Sequence, residues 1–562
     1  MNYGILILVL FPVVAGVIGY ILGRKNEKNR NDWVDIAVFV QIVLLVCLVV
    51  EYIKGWSMEF SVGLLFGTGF SLVADPVRIV LCTLVTMVFF VVSQYMKESL
   101  KKERDLNVFY LLFLTMLGTT CGGVLSNNFF NFAMFMMLNY IMLIPMLMQR
   151  QDKNTLKNVK TYSVFSAISF GFVSIGLFLI MSDIRSVEYD YLYIAVKGGL
   201  NAITIIGGIL AMIGFGMWSG LFPIQQQVTR ASSVGLMEVS VITTTLLSKL
   251  GILGMFILVR TMFHGNRLIG KVVLIWAILT VVWGLFIALI STDIRKILMG
   301  INTGVNGIIS VCVSVVLLND ASSGYPIRGV LYMIVSSSVA LLVLYMVTLE
   351  LVRKVRTYEI KGLIAEGKGH KILMVVSFVA CATLIGCPGT VGFLANSILL
   401  KSLLTIVKWK WLLVFYVVQW AFYITAVARV YMKLFVSKKD ETMHVLASPE
   451  ELEKLNQSKE PSDPKNAFRF GEILLVILCA VQIIIGILPG LTVGKLSDSI
   501  DAAFLMNPLA DGIRHYTLDV LMIFLIAAFL GFIVYLNLVH GIFLRAVRNR
   551  KNKQLQKDII KK

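Results

Sequence analysis

Long uncharged apolar segments recur along the whole chain, and they constrain its fold more than any other feature. Residues 3–23 and 128–148 are two such segments, and neither contains a charged side chain. A helix that crosses a membrane needs about 20 consecutive apolar residues. Because 58% of the 562 residues are hydrophobic and only 15% are charged, a soluble globular fold is excluded. The sequence therefore predicts an all-α, polytopic integral membrane helix bundle.

The apolar windows predict about fifteen transmembrane helices, each near the required length. The predicted spans are 3–23, 34–53, 77–96, 107–125, 128–148, 160–182, 200–222, 236–260, 271–291, 296–318, 328–352, 372–406, 411–436, 470–489 and 517–545. The window 372–406 is long for one span, so we expect this helix to tilt, break or protrude. Trp56, Phe60 and Phe66 in the loop 54–76 predict a short hairpin at the membrane interface.

Basic residues cluster in alternate loops, and this pattern sets the expected orientation. The basic segments are 24–30, 97–104, 149–160, 293–296, 353–371 and 545–562. All of them are cytoplasmic if the N-terminus is outside and the number of spans is odd. We therefore expect a multi-pass protein of the cell membrane with a cytoplasmic C-terminus. The net charge of +19 is explained by these loops and does not indicate a nucleic-acid partner.

The stretch 218–260 combines a broken helix with a charge deep in an apolar segment. Phe222-Pro223 and the polar residues that begin at Gln225 interrupt the seventh span, and Lys249 lies within the eighth. In hydrocarbon, freed backbone groups and buried ammonium groups are costly unless protein or water satisfies them. The stretch therefore predicts a hydrated cavity in the bundle, with Lys249 and Gln225 as candidates for an ion path.

A second break predicts an internal repeat. Pro388 and Gly389 interrupt the twelfth span, five spans after Pro223 interrupts the seventh. Paired interruptions in two halves indicate inverted repeats with a site between them, and an odd offset makes the two units opposite in orientation. The expected units are 1–106 with the first three spans, five-helix repeats at 107–260 and 271–436, a cytoplasmic loop at 437–469, and final spans with a basic tail at 470–562.

Cofactor and metal motifs are not expected in this chain. The seven cysteines lie in apolar segments without C-x-x-C spacing, the five histidines form no cluster, and no glycine-rich phosphate loop follows a strand. We therefore expect no metal, no cofactor and no catalytic residues. Charged residues near the ends of spans, such as Glu238, Glu350 and Glu472, are expected at the membrane interface or in solvent.

Several segments resemble one family in the family's own order. Phe222-Pro-Ile-Gln-Gln-Gln and the segment around Lys249 resemble the antiporter-like membrane subunits of respiratory complex I, multisubunit sodium/proton antiporters and energy-converting hydrogenases. Further resemblance lies at 109–118, 292–298, 386–393 and 486–490, so that it covers roughly residues 60–490. The resemblance implies two inverted five-helix units with broken helices.

The resemblance also implies a row of charged residues that moves protons along the membrane midplane, and this chain departs from it. Only the lysine of the eighth span is retained, as Lys249. The other positions of the row fall on Asn139 or Tyr140, Trp218, Val305, Ser338 and Asn396. Asn396, like Asn302 and Asn306, is neutral, so it can order water but cannot hold a proton at neutral pH. With Lys249 and Gln225, the residues Asn139, Tyr140, Trp218, Ser338 and Asn396 complete the ion-path candidates.

Two functions of different classes remain open on these residues. In the first, the chain is an antiporter-like subunit of a complex I-related assembly: energy-converting hydrogenase-type, NADH dehydrogenase-like or a cation/proton antiporter. It would dock beside other hydrophobic subunits and contribute to proton or sodium translocation, while redox chemistry stays in those partners. In the second, it is a degenerate, non-conducting structural subunit of the same kind of assembly. An unrelated secondary solute transporter is a third hypothesis, which the motifs disfavour.

Overall fold

Helices account for nearly all of the regular structure in the described part of the chain. The computed structural model describes residues 2–63, 69–100, 105–149, 153–196, 199–224, 235–318, 325–355, 357–404, 410–437, 469–488 and 518–540. The helices are α1 (Tyr3–Lys25), α2 (Glu27–Ile53), α3 (Pro76–Ser99), α4 (Leu106–Leu125), α5 (Phe129–Leu147), α6 (Lys153–Ile184), α7 (Tyr189–Ala195), α8 (Ala202–Ser219), α9 (Met237–Met262), α10 (Arg267–Ile290), α11 (Ile294–Leu318), α12 (Tyr325–Val355), α13 (Lys371–Ile385), α14 (Val391–Leu404), α15 (Lys410–Tyr431), α16 (Arg469–Ile487) and α17 (Leu518–His540).

The predicted spans agree with these helices. Thirteen described helices are long and apolar enough to cross a membrane, and they coincide with thirteen of the predicted windows. The window 372–406 is broken into the shorter helices α13 and α14, which is one of the outcomes expected for its length. The last window, 517–545, overlaps α17, whose apolar part is Val520–Leu536. The prediction of an all-α, multi-pass membrane bundle is confirmed.

The loop between α2 and α3 forms the predicted hairpin. Strand β1 (Glu59–Val62) pairs antiparallel with β2 (Phe70–Val73), and Phe60 lies opposite Leu72. Phe70 contacts Phe60 on one side and Phe135 of α5 on the other, with ring centroids 6.5 and 6.0 Å apart. These aromatic contacts hold the hairpin against the end of the bundle.

Capping side chains fix where two of the helices begin. Asp75 accepts a 2.7 Å hydrogen bond from the backbone N–H of Arg78, and Pro76 takes the first helical position of α3. Asn128 caps α5 in the same way, accepting from the N–H of Asn131 at 2.7 Å. Each cap satisfies a backbone donor that the first turn of a helix leaves unpaired.

Burial divides the helices into a centre and a periphery. In each of α9, α11 and α12, 94% of the most apolar window is buried inside the protein. Apolar side chains of α10 instead point outward, with Val272 49% and Ile275 60% exposed, and α1, α2, α6, α16 and α17 also expose apolar residues. A helix buried on every side is apolar all round, and outer helices turn apolar faces to lipid or to another subunit.

Glycines allow some neighbouring helices to touch backbone to backbone. A Cβ atom at Gly300 of α11 would lie 2.6 Å from the backbone nitrogen of Ala288 in α10. Between α6 and α8, a Cβ at Gly176 would lie 2.5 Å from the carbonyl oxygen of Gly207. Small residues at such crossings are the usual basis of close helix packing in membranes.

The first predicted break is present where α8 ends. The helix stops at Ser219, and Gly220 takes a left-handed conformation with φ of 71°. Pro223 lies exposed in the turn that follows, at the limit of this described stretch. Gln225, one of the predicted ion-path residues, lies outside the described residues.

The second predicted break separates α13 from α14. Gly386 ends α13 with φ of 77°, the exposed Pro388 follows, and Gly389 has φ of 86°. Both φ values lie in the left-handed region that favours glycine. The symmetry between the two broken units and the expected domain boundaries stay predictions, and almost all of the loop 437–469 lies outside the described residues.

Candidate functional site

Lys249 lies in α9 at the centre of the bundle, two residues after a π-helical turn. Its side chain is 2% exposed, and the turn spans Thr243–Leu247. The hydroxyls of Thr243, Thr245 and Ser248 donate to carbonyls one turn earlier in α9, at 2.7 to 2.8 Å. π-helical turns disturb the regular hydrogen-bond ladder and are frequent at functional sites. Because these hydroxyls bond within α9, the partner of Lys249 comes from another helix.

That partner is Asn306 of α11. The Lys249 ammonium donates a 2.6 Å hydrogen bond to Oδ1 of Asn306, and Nδ2 of Asn306 donates at 2.8 Å to the carbonyl of Ser219. Ser219 is the last residue of α8, so one amide connects the lysine to the broken helix. Asn302, one turn earlier on α11, donates to the hydroxyl of Ser248 at 3.2 Å. We call Lys249, Asn306, Ser219, Ser248 and Asn302 the lysine network.

The lysine network contains no acidic side chain among the described residues. Lys249 makes no ion pair there, and its ammonium bonds to a neutral amide. The acid nearest to it along α9 is Glu238, about 16 Å away at 1.5 Å per residue. Glu238 is only 3% exposed, so it is buried within the protein, and its position at the membrane interface stays a prediction. Lys249 is an ionisable residue buried within a membrane protein, and such residues typically have a functional role.

A glycine brings α9 against the end of α8. A Cβ atom at Gly251 would lie 2.7 Å from the backbone nitrogen of Ser219 and 2.8 Å from its hydroxyl oxygen. Any larger residue at position 251 would push α9 away from the break. Gly251 therefore sets the short distance across which Asn306 links Lys249 to Ser219.

Trp218 and Tyr140 fill the space on the other side of the broken helix. Trp218 is 1% exposed, and its ring stacks on that of Tyr140 with centroids 5.6 Å apart and 22° between the planes. The Tyr140 hydroxyl donates to the carbonyl of Trp218 at 2.9 Å, and Phe215 contacts Trp218 at 5.5 Å. Within the described residues, Nε1 of Trp218 has no hydrogen-bond partner. The place where the resemblance implies a second lysine is therefore packed with aromatic surface.

Asn139 lies in a separate polar contact between α4 and α5. Its Oδ1 accepts hydrogen bonds from the hydroxyls of Thr119 at 2.6 Å and Thr120 at 3.2 Å. Its Nδ2 has no hydrogen-bond partner in the part of the chain that the structure describes, although the residue is fully buried. The resemblance places a glutamate of the fifth span at Asn139 or Tyr140. Asn139 is the position whose neighbours, the hydroxyls of Thr119 and Thr120, could also donate hydrogen bonds to a carboxylate.

Ser338 and Asn396 lie farther along the bundle, each with its own partner. The Ser338 hydroxyl on α12 donates to the carbonyl of Thr245 in the π-helical turn at 2.8 Å. Oδ1 of Asn396 on α14 accepts from the Tyr416 hydroxyl of α15 at 2.8 Å. A cavity of about 20 Å³ lies between Asn396, Ser336 and Ser337, and residue 305 also lines it. A volume of this size holds about one water molecule.

The predicted site residues therefore form separate polar groups along the bundle. Ser338 bonds the π-helical turn of α9 that lies two residues before Lys249, and Lys249 itself bonds Asn306. Asn139 and Asn396 have their own partners elsewhere. Sequence reasoning did not include Asn306 among the ion-path candidates, because the resemblance places the corresponding position one residue earlier, at Val305. In the described residues, no group of three or more His, Cys, Asp and Glu side chains is suited to a metal ion.

Glu350 is buried, and the prediction that it lies in solvent is wrong. It lies in the last turns of α12 and is 3% exposed. The sequence does carry a signal for this burial: α12 is apolar on all faces, which is typical of a central helix, so a side chain near its end also faces protein.

Comparison with known proteins gives the family. Residues 126–422 match the family model described as NADH:quinone oxidoreductase/Mrp antiporter, TM. The chain is 24% identical over 405 residues to an Na(+)/H(+) antiporter subunit of Bacillus subtilis (strain 168), which covers 70% of this chain and 80% of that protein. It is 21% identical over 424 residues to an NADH-quinone oxidoreductase subunit of Buchnera aphidicola subsp. Baizongia pistaciae (strain Bp), covering 69% and 80%.

Solved structures share the fold. A chain of the membrane-bound sulfane sulfur reductase (MBS), an archaeal respiratory membrane complex, matches with a TM-score of 0.76 and 15% identity over 94% of this chain and 100% of that one. A chain of the Mrp complex from Dietzia sp. DQ12-45-1b matches with a TM-score of 0.77 and 15% identity over 99% and 57%. The family model covers more than half of the sequence, and the chain belongs to the NADH:quinone oxidoreductase/Mrp antiporter transmembrane family of antiporter-like membrane subunits.

Proposed function

We propose that this chain is an ion-translocating subunit of a complex I-related membrane assembly. It docks beside other hydrophobic subunits and contributes to the movement of protons or sodium ions across the cell membrane. Redox or other driving chemistry resides in those partners. Its N-terminus lies outside and its basic loops and C-terminus lie in the cytoplasm, as the distribution of lysine and arginine supports.

The lysine network carries this proposal. Lys249 is a buried amine hydrogen-bonded to Asn306, which bonds the end of a broken helix. Ionisable groups at membrane depth typically mark ion or proton pathways, and broken helices supply backbone groups that line such sites. The amine can accept and release a proton, and Asn306 and Ser219 offer oxygen atoms that could orient water beside it.

Exposed apolar helix faces support the assembly part of the proposal. Leu268, Ile275 and Ile290 of α10 are 60 to 70% exposed. Such a face is stable only against lipid tails or another hydrophobic subunit. The relatives that this chain resembles are subunits of larger systems, an Na(+)/H(+) antiporter and an NADH-quinone oxidoreductase.

A non-conducting structural subunit is the second candidate, and the aromatic stack favours it. Tyr140 and Trp218 fill the region beside the break with ring surface. Lys249 has no acidic neighbour among the described residues to exchange protons with. In this alternative the fold and the docking surfaces are kept for assembly, and the ions cross in sister subunits.

Purification of the full-length chain from its native membrane tests the assembly claim. We expect it to co-purify with other hydrophobic subunits, and the reconstituted assembly to move ions into liposomes. A stable, lone monomer would contradict the proposal. Substitution of Lys249 by Ala separates the two candidates: conduction predicts lost ion movement with an intact assembly, and the structural candidate predicts unchanged ion movement.

A further inference from the structure

A cavity of about 220 Å³ lies among the described residues at the end of the bundle where the hairpin of β1 and β2 packs. Residues of the hairpin, α3, α7 and α9 line it, together with Val124 of α4 and Leu331 of α12. Glu59 and Asp190 of this lining are exposed, so the cavity reaches the protein surface. A cavity of this volume has room for several water molecules. The lysine network does not include any residue of this lining.

The part of the lining that comes from α9 follows Lys249 along one face of the helix. These residues are Leu253, Ile257, Arg260 and Thr261, which come 4, 8, 11 and 12 positions after Lys249. Such spacings keep side chains on the same side of an α-helix. The helix is regular from Ser248 to Met262, so no widened turn shifts this register. Four residues rise about 6 Å, so the apolar Leu253 is the lining residue of α9 next to the lysine.

Hydrogen bonds fix the walls of the cavity around Asn127. The backbone N–H of Asn127 donates to the carbonyl of Ser71 in β2 at 3.1 Å, and its carbonyl accepts from the N–H of Tyr189 in α7 at 3.4 Å. Its side-chain oxygen accepts a 3.0 Å hydrogen bond from Arg78 of α3. One residue therefore connects the hairpin, α3 and α7, and the cavity is a built part of the fold.

The charges of the lining favour cations. The charged groups are the carboxyl groups of Glu59, Asp75 and Asp190 and the guanidinium groups of Arg78 and Arg260. Both guanidinium groups are engaged, because Arg78 lies 3.6 Å from Asp75 and Arg260 lies over the ring of Tyr193, 5.7 Å from its centroid. Three carboxyl groups against two guanidinium groups give the lining a formal charge of −1. A cleft of this sign with apolar walls raises the local concentration of cations.

We infer that this cavity is the vestibule through which monovalent cations reach Lys249 from the hairpin end of the bundle, with Leu253 as the apolar gate between them. Apolar constrictions of this kind let ions through only when water enters them. The inference rests on the ion path proposed at Lys249, and it adds the side from which ions arrive and the residues that they pass.

Cysteine labelling of the complete assembly tests the vestibule. Leu253→Cys places a thiol in the cavity, and the matched control Ile252→Cys places one at the same depth on another, fully buried face of α9. A water-soluble, cationic methanethiosulfonate reagent reacts with hydrated thiols, and peptide mass spectrometry separates these positions from the native cysteines. We expect labelling of Leu253→Cys and not of Ile252→Cys. After labelling, the Leu253→Cys assembly should lose the uptake of protons or sodium, each followed separately, that it shows before labelling.

Two results would overturn the inference. Equally slow labelling of both positions means that water does not reach Leu253. Labelling of Leu253→Cys without loss of uptake, in an assembly whose uptake depends on Lys249, means that ions reach the lysine by another route. Uptake that Lys249→Met leaves unchanged contradicts the proposed function instead, whatever the labelling shows. If Leu253→Cys does not assemble, Ile257→Cys in the same cavity decides the test, with the buried Leu258→Cys as its control.

Discussion

The side-chain amide of Asn306 on α11 bonds both Lys249 of α9 and Ser219 of α8. We therefore expect its substitution to disturb the surroundings of Lys249 more than substitution of a neighbouring residue. Asn306→Leu removes the acceptor of Lys249 and the donor to the Ser219 carbonyl. Hydrogen bonds to charged groups contribute about 1.5–3 kcal/mol. We therefore expect a destabilisation of this order, measured as earlier thermal dissociation of the purified assembly.

Asn302→Leu is the matched control, because Asn302 lies one turn earlier on the same helix and makes one neutral hydrogen bond, to Ser248. The effect of Asn306→Leu should also shrink when Lys249→Met is present, since the ammonium that lost its acceptor is then gone. Two results would argue against the bond between Asn306 and Lys249. One is an equal loss of thermal stability in Asn302→Leu and Asn306→Leu, and the other is strict additivity of the losses in Asn306→Leu and Lys249→Met.

For single residues, the sequence predicted that Lys249 is buried, but it did not predict which side chain of another helix bonds it. The burial of Lys249 follows from its apolar neighbours in the chain, a local property that the sequence shows directly. Its partner Asn306 lies 57 residues away, and its choice depends on how α9 and α11 rotate about their axes. The stacking of Trp218 on Tyr140, 78 residues apart, is likewise set by packing and not by either local pattern.

Helices α10 and α11 contact each other at glycine residues. Of two glycines on α11, Gly300 has no room for a side chain and Gly304 has room for one. At Gly300 a Cβ atom would lie 2.6 Å from the backbone nitrogen of Ala288, which cannot rotate away. At Gly304 the nearest atom is the end of the Leu285 side chain, 3.8 Å away. Overpacking costs about 1–3 kcal/mol, so Gly300→Ala should destabilise the assembly by that amount.

Gly304→Ala is the control and should be neutral or slightly stabilising, because alanine favours the helix and has room. Thermal dissociation of the two variants, compared side by side, measures the difference. The same melting temperature for both would mean that α10 and α11 do not approach as closely as described.

The junction between α12 and α13 should respond to pH. Partial burial, and then the nearby Lys354 ammonium, lowers the pKa of His370 below its usual value. His370 accepts a hydrogen bond from Lys354 in its neutral form. The unfolded chain binds the proton at a higher pH than the folded one, so this contribution to stability is present above the unfolded pKa and is lost as pH falls through the folded pKa.

Thermal dissociation measured between about pH 5 and pH 8 should therefore show a loss of stability on the acid side that His370→Gln reduces. Lys368→Met, which removes an exposed charge two residues away, should leave the acid side unchanged. A pH profile that is identical in the native protein and His370→Gln would contradict this assignment.

At the level of elements, the sequence predicted most of the helices because apolar length alone determines a membrane span. It also predicted both breaks, near Pro223 and at Pro388 and Gly389, although proline alone does not end a helix here, since Pro12 lies inside α1 and Pro145 inside α5. The π-helical turn at Thr243–Leu247 was not predicted. Three of its five residues are threonine, a poor helix former, and Ser338 of α12 donates a hydrogen bond to the carbonyl of Thr245 within the turn.

At the scale of the whole molecule, the chain has the family fold, and we predict that its polar interior differs from that of the family. The fold matches an archaeal respiratory complex chain over its full length, with a TM-score of 0.76. Inside the bundle, asparagine, tyrosine and tryptophan occupy positions for which the resemblance implies charged residues.

We propose that ions cross this subunit at Lys249. The most direct test of this proposal is ion uptake per turnover by liposomes that contain the complete assembly, with Lys249→Met compared to the native protein and to Lys368→Met. Methionine keeps the length of the side chain and removes the buried charge, so the assembly should stay intact. We expect Lys249→Met to lower ion uptake per turnover and Lys368→Met to leave it unchanged. Unchanged uptake in an intact Lys249→Met assembly would contradict it.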